Sequence, residues 1–270
     1  MYYYIVDPQK ISQKEFERVQ NVLYSSLSEY KIAGEVVRVT GLRTIQQLVE
    51  NAFAREAKTI VAVGSDQTLH EMINAIGKRE VVVGFIPMVQ SELANILGVN
   101  NISQAAKVIA FRRIEAMDLG LVNNNYYFLS KLSFGEIQTG WLPAPGKTFE
   151  IKFSADGQYQ ATLRVIAGII VNSRDSQTEE RMANPTDGNL DILFLPELSK
   201  WKTIQYRKQI LTGHFEKIPQ ASVVHAKQIE ILSPQGLNLK VGELIVAKSP
   251  VNISVVPHML KMIVGRERKF

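Results

Sequence analysis

The sequence predicts an α/β plus β protein: an N-terminal doubly wound α/β domain followed by a C-terminal, mostly antiparallel β-sandwich-like domain. Three observations carry this. Short β-branched runs alternate with helical spacing up to about residue 117, the grammar of right-handed βαβ units on a parallel sheet. After Asp118, strand-like runs instead follow one another across Gly, Pro, Asn and Asp turns. The 270 residues are also enough for two modest domains.

The elements follow in order. Residues 2–6 are aromatic and β-branched and end at Asp7-Pro8, a first strand and its turn. Ser12 with Glu15 opens a helix whose Phe16, Val19, Val22, Leu23 and Leu27 share one face. Gly34 starts a second strand over 35–40, and Ile45, Leu48, Val49, Ala52 and Phe53 mark a second helix. The apolar run 59–63 breaks at Gly64-Ser65-Asp66-Gln67-Thr68, and helical spacing resumes at Leu69, Met72, Ile73 and Ile76. This reads as strand, tight polar loop and helix, with Thr68 and Glu71 as a capping box. Such a loop at the carboxyl edge of a buried sheet turns backbone N–H groups and a helix N-terminus outward, where α/β proteins bind phosphates. Residues 81–86 form a fourth strand before Pro87. Beyond Asp118, residues 126–130, 149–153, 160–171, 190–195, 228–232 and 251–255 are predicted strands and 200–211 a helix. Residues 259–264 are expected to pack back on the first domain. The expected division is therefore 1–117, 118–257 and a C-terminal segment 258–270, with a ligand cleft between the halves.

Composition narrows the class. The chain is 46% hydrophobic and 21% charged, with formal charge +5, pI about 9.2 and mean hydropathy -0.02. It lacks the dense Lys/Arg blocks of a nucleic-acid arm, so no nucleic-acid partner is expected, while a basic face suits nucleotide phosphates or anionic lipids. The absence of cysteine excludes a disulfide framework, a thiolate metal site and a cysteine nucleophile. Residues 1–6 lack the charged start and long apolar core of a signal peptide, and no apolar run approaches the roughly 18 to 20 residues that span a bilayer. A cytoplasmic protein, soluble or peripheral at the inner membrane surface, is the expectation. His70, His214, His225 and His258 show neither metal-ligand spacing nor a triad partner and are read as structural or surface residues.

Residues 61–76, VAVGSDQTLHEMINAI, resemble the GGDGTxxEVxNGL signature of the diacylglycerol kinase catalytic family. That family includes sphingosine kinases and bacterial lipid kinases and is distantly related to NAD kinases. Further similarities follow its order. Thr40 resembles a nucleotide-contacting Thr, and Ser91-Glu92-Leu93-Ala94 with Leu97-Gly98-Val99 resembles NDFA…LGI. The segment from Asn184 to Asp191 resembles PxDGxLD, and Leu211-Thr212-Gly213-His214, residues 226–231 and Val241-Gly242-Glu243 resemble the closing run that ends in DGE.

The resemblance implies ATP and Mg²⁺ as cofactors and phosphoryl transfer to a lipid hydroxyl. It implies nucleotide contacts from Thr40, Gly64, Ser65, Asp66, Gln67, Thr68, Glu71, Gln90 and Ser91, with Asp66 on Mg²⁺ through water and Glu243 as general base. It also implies a structural Mg²⁺ site at Asp187, Asn189 and Asp191, oxygen ligands that suit a hard cation. The partners implied are a nucleotide and a lipid met at a membrane surface, with a homodimer left open.

The departures fall at glycines and small polar residues. Ser65 and Gln67 stand where the family has glycines, and Val89-Gln90-Ser91-Glu92 shortens its GTGND loop. Asp7-Pro8-Gln9-Lys10 lacks the SG pair of NPxSG, and Val241 replaces an Asp. Three readings stand: a lipid kinase, a weakened or inactive pseudokinase that binds lipid or nucleotide, and an NAD kinase-like enzyme. Each site residue also has a plainer reading. Asp66 fits a turn that bonds its own backbone, Asp187-Gly188-Asn189 fits a hairpin turn, and Glu243 fits a solvated strand end.

Overall fold

The computed structural model describes residues 1–135, 147–174 and 184–270. Of the described residues, one unit is built from Met1–Asp118, Arg174 and Pro257–Phe270, the other from Leu119–Ser173 and residues 184–256, which include β10 (Leu190–Pro196).

In the first unit β1 (Tyr2–Val6), β2 (Glu35–Arg38), β3 (Thr59–Gly64) and β4 (Val82–Pro87) form a parallel sheet in the order β2-β1-β3-β4. β3 is buried along its whole length, which is why its sequence is an unbroken apolar run rather than an alternating one. The helices are α1 (Gln13–Glu29), α2 (Ile45–Ala54), α3 (Asp66–Ile76), α4 (Glu92–Leu97) and α5 (Ile102–Phe111). α1 packs on α5 and α2 on α3, the arrangement of a doubly wound sheet. Short polar side chains at Ser12, Thr44, Ser65, Ser91 and Asn101 cap their N-termini. Beyond β4, Lys261 and Met262 of β15 (Val251–Ile263) pair in parallel with Val82 and Val83.

The start of α3 corrects the sequence expectation. The helix begins at Asp66, so the polar stretch is its first turn, and the capping box joins Ser65 to Thr68 rather than Thr68 to Glu71. Ser65 is extended (φ -104, ψ 174), which turns its hydroxyl onto the Thr68 N–H while its own N–H reaches Thr68 Oγ1. Glu71 instead accepts from Gln67 Nε2 at 2.9 Å, one turn along the helix surface.

The second unit is antiparallel throughout its described strands. β9 (Tyr159–Val171) pairs over its first half with β8 (Phe149–Ala155), and over its second half with β7 (Lys131–Phe134) and β10. β12 (Gln228–Leu232) joins β8 to the first residues of β15, β11 (Ser222–Ala226) borders β10, and β13 (Asn238–Val241) forms a hairpin with β14 (Leu244–Lys248). β5 (Ile114–Val122) pairs with β6 (Tyr126–Phe128). Phe134 and Phe153 both pack against Phe194 with their rings tilted, in the core between these strands. A second apolar cluster, including Ile166, Leu193 and Leu195, is covered by Ile210, Phe215 and Ile218.

Two elements differ from expectation. The helix predicted over 200–211 is a pair, α6 (Lys200–Gln205) and α7 (Arg207–Thr212), separated at Tyr206 (φ -98, ψ 17), whose side chain packs against the second cluster. Residues 259–264 are no separate segment, because β15 runs unbroken from Val251 to Ile263.

Candidate functional site

β2 and β3 lie on opposite sides of β1, so the strand order reverses between β1 and β3. In doubly wound sheets ligands enter at such a reversal, beyond the carboxyl ends of the strands. The segments leaving this point are Asp7–Gln9 and Ser65–Thr68, and they are tied together. Thr68 Oγ1 donates to Asp7 Oδ2 at 2.8 Å across 61 residues of chain, while Asp7 Oδ1 accepts the Gln9 N–H at 3.2 Å. Thr68 is 1% exposed, so its hydroxyl is spent on Asp7 and Ser65 and faces no solvent. A Cβ on Gly64 would stand 2.5 Å from Thr68 Oγ1, which explains glycine here on space alone. Ser65 and Gln67 take ordinary backbone angles, one extended and the other helical, so replacing glycine costs no strain at either. The change they make is to fill space over the first turn of α3.

Asp66 projects from that turn onto the start of the neighbouring helix. Ser91 Oγ donates to Asp66 Oδ1, and the N–H groups of Glu92 and Leu93 reach Oδ2 at 3.1 and 3.4 Å. The carboxylate thus occupies the N-terminus of α4 as an anion would. Burial pushes its pKa above the usual carboxylate range, offset by the bonds from Ser91, Leu93 and Glu92. Ser91 also caps α4 by accepting the Ala94 N–H at 2.8 Å. One turn further on, His70 is buried, its Nδ1 lies 2.9 Å from the Asp66 carbonyl oxygen, and burial pushes its pKa down to about 4.

Beside these groups lies an open cavity of about 590 Å³ lined by Glu15, Met88, Gln90, Asn101 and Ser103, within the size range of small-molecule sites. It takes in Gln90 of the predicted set. Thr40 lies in an exposed turn, exchanging backbone hydrogen bonds with Arg43 at 3.1 Å in both directions.

In the second unit Glu243 is exposed at the tip of the β13–β14 hairpin, beside Gly242 at φ +58. Asp187 Oδ1 accepts the Asn189 N–H at 2.9 Å and Asn189 Nδ2 donates to the Asp187 carbonyl at 3.1 Å. Asp191, almost buried on β10, meets Nδ1 of His225 on β11. The oxygen set suits Mg²⁺ in kind. Asp187 Oδ1 and Asp191 Oδ1 are engaged in these internal bonds, and among the described residues no three His, Cys, Asp or Glu side chains come together as a metal cage. The same holds for Asp66, whose two oxygens both accept protein hydrogen bonds.

Sequence reasoning missed Asp7 and Asp118. Asp7 looks like a turn former before proline, and only the fold brings Thr68 to it. Asp118 is fully buried on β5 and accepts the His258 N–H at 2.8 Å. A lone Asp inside an apolar strand run, EAMDLGLV, was the available signal.

Residues 2–122 match the profile of the diacylglycerol kinase catalytic domain, and residues 149–264 that of the YegS C-terminal NAD kinase beta sandwich-like domain. No curated protein sequence matches the chain. Among solved structures, a diacylglycerol kinase from Bacillus anthracis strain Sterne has a TM-score of 0.79 at 20% identity, over 99% of this chain and 97% of that one. An NAD kinase from Archaeoglobus fulgidus in complex with ATP has 0.59 at 12%, over 100% and 96%. Yeast NADH kinase complexed with NADH has 0.58 at 9%, over 100% and 85%. These likenesses establish a shared two-domain fold, and with both profiles matched in order along the sequence, the chain belongs to the diacylglycerol kinase catalytic-domain family.

Proposed function

We propose that this protein is an ATP-dependent lipid kinase that phosphorylates the hydroxyl of diacylglycerol or a related lipid. The observation that carries the reading is the start of α3 at the β1/β3 reversal, in a chain that matches the family over both units. The N–H groups of Asp66 and Gln67 belong to the first turn, where a helix has no internal partner for them, and offer the ATP phosphates a place. Thr40, Gly64, Ser65, Glu71, Gln90 and Ser91 border that place in this reading, with the nucleotide in residues 1–117 and the lipid in 118–257. Mg²⁺ bound with ATP would be held by Asp66 through water and would supply neutralisation of charge on the transferring phosphoryl group. The lipid hydroxyl oxygen bonds to the γ-phosphorus, its proton passes to the Glu243 carboxylate, and ADP departs. Incubation with radiolabelled ATP and a panel of diacylglycerol, sphingosine and NAD should label a lipid, and Glu243→Gln should lower that labelling about 100-fold or more. Unchanged labelling in the variant defeats the assignment, and labelled NAD would favour the NAD kinase-like alternative.

A second reading, a non-catalytic nucleotide- or lipid-binding module, is favoured by one specific observation. Both Asp66 oxygens and the Thr68 hydroxyl are already held by protein groups. Thermal shift with MgATP separates the two, since saturable stabilisation at sub-millimolar nucleotide requires a formed site, and binding without labelling selects the module.

A further inference from the structure

α6 and α7 carry an apolar stripe on the wrong side for a core. Tyr206 N–H donates to the Lys202 carbonyl and Ile210 N–H to the Tyr206 carbonyl, both at 2.9 Å, so helical periodicity continues across the break between the two helices. Thr203 and Ile210 are buried and Tyr206 packs beside them, which fixes the inward face at i, i+3 and i+7. The opposite face, at the same spacing, holds Trp201, Ile204, Lys208 and Leu211. Trp201 is 83% exposed, Ile204 48% and Leu211 45%. Lys200, Lys202, Arg207 and Lys208 are all exposed around the stripe, and from Ser199 to Thr212 there is no Asp or Glu. A solvated helix face has no use for an outward tryptophan and two branched aliphatics. Apolar side chains ringed by Lys and Arg, with Trp at the boundary, are what an amphipathic helix presents to the headgroup region of an anionic bilayer.

We propose that the outer face of α6–α7 docks this protein on anionic membrane lipid, with Trp201, Ile204 and Leu211 entering the interface and Lys200, Lys202, Arg207 and Lys208 against the headgroups. The occupant follows from charge complementarity. A run with four cations and no anion is matched by a lipid surface of continuous negative charge, which attracts each Lys or Arg near it. Docking by this face needs no nucleotide and no turnover, so vesicle binding can fail while the kinase reading holds, and the reverse.

The test is flotation of the full chain with vesicles of phosphatidylcholine containing about one third phosphatidylglycerol, against pure phosphatidylcholine, at low and high salt. Binding is expected to the anionic vesicles alone and to weaken with salt. Trp201→Ala removes a side chain that supports no core, and should lower partition about tenfold. Lys200→Glu with Lys202→Glu should lower it further, with unchanged melting curves showing that both variants fold. In a Trp141→Phe background, the chain's other tryptophan being removed, Trp201 emission should shift to the blue on binding. Equal partition to neutral and anionic vesicles, or equal partition of the wild type and Trp201→Ala, overturns the proposal. So does concentration-dependent sedimentation that Trp201→Ala abolishes, which would assign the stripe to a second copy of the chain.

Discussion

Thr68 does three things with one hydroxyl: it donates to Asp7, accepts the Ser65 N–H and lies against Gly64. Thr68→Val keeps the shape and leaves the Asp7 carboxylate and the Ser65 N–H without that partner in a buried place. It should cost about 2 to 3 kcal/mol in urea unfolding, while Thr68→Ser should cost less than half of that. Thr68 was legible as a helix-start residue, because Thr before an apolar helical repeat is a local signal. Its partner was not, since nothing local relates positions 7 and 68. His70 gives a pH prediction. The unfolded imidazole titrates near its ordinary 6.5 and the buried one at about 4, so acid protonates the unfolded chain first. Stability present above about pH 6.5 is therefore lost as the pH falls toward 4. Asp66 works with the opposite sign, because burial favours its protonated form. Between pH 7 and 4.5 the wild type should lose about 2.5 kcal/mol more than His70→Gln, measured by urea unfolding at both values. Equal losses would show that the imidazole is not the group that titrates.

At the scale of elements, the first turn of α3 and the start of α4 form one device, since Asp66 is the anion at the α4 N-terminus and Ser91 is both its partner and the α4 cap. Asp66→Ala removes acceptors for three donors, and α4 is only six residues long, too short to hold itself. Amide exchange over 92–97 should speed up in that variant, with α5 unchanged, at a stability cost of about 2 kcal/mol. Ser91→Ala should cost a similar amount, and the two changes together less than their sum, because they break the same contact. A metal-linked role for Asp66 alone would leave α4 exchange unaltered. The parallel strands and the helices between them were legible because each is a local period of apolar residues closed by a cap or a turn. Where α3 begins was less so: the sequence pattern offers Thr68 with Glu71 as the capping box, and only the observed bonds move it to Ser65 with Thr68, whose N3 residue is not the Glu or Gln of the usual pattern. The break at Tyr206 and the buried Asp118 depend on packing partners far along the chain, which no local pattern contains.

For the whole molecule, the change from helices to strands near residue 118 and a C-terminal segment packing back on the first domain were both read from the sequence; what the sequence did not show is that β5 passes through the boundary without interruption and that one strand, β15, carries the chain from the second unit back into the first. Long strands of this kind look like two short ones in the sequence, because their burial pattern changes where they change neighbours: β15 alternates or is half exposed over 251–259 and is mostly buried over 260–263. The return has an energetic consequence for the first unit. Leu260, Met262, Ile263 and Val264 are each less than 5% exposed there, Lys261 and Met262 pair with β4, and Gly265 N–H donates to the Leu97 carbonyl at 2.7 Å. At about 1.5 to 3 kcal/mol for each large buried side chain, the four together approach the roughly 5 to 15 kcal/mol that hold a whole domain folded. A chain ending at Val256 should therefore lose the cooperative melting of its first unit and expose the edge of β4, although residues 1–118 are intact. A synthetic peptide of residues 257–270 should restore part of the transition by mass action, with a melting temperature that rises with peptide concentration. Unchanged melting of the truncated chain would show that the four strands β1–β4 and their helices are self-sufficient, and that the returning strand is an ornament on a domain already complete.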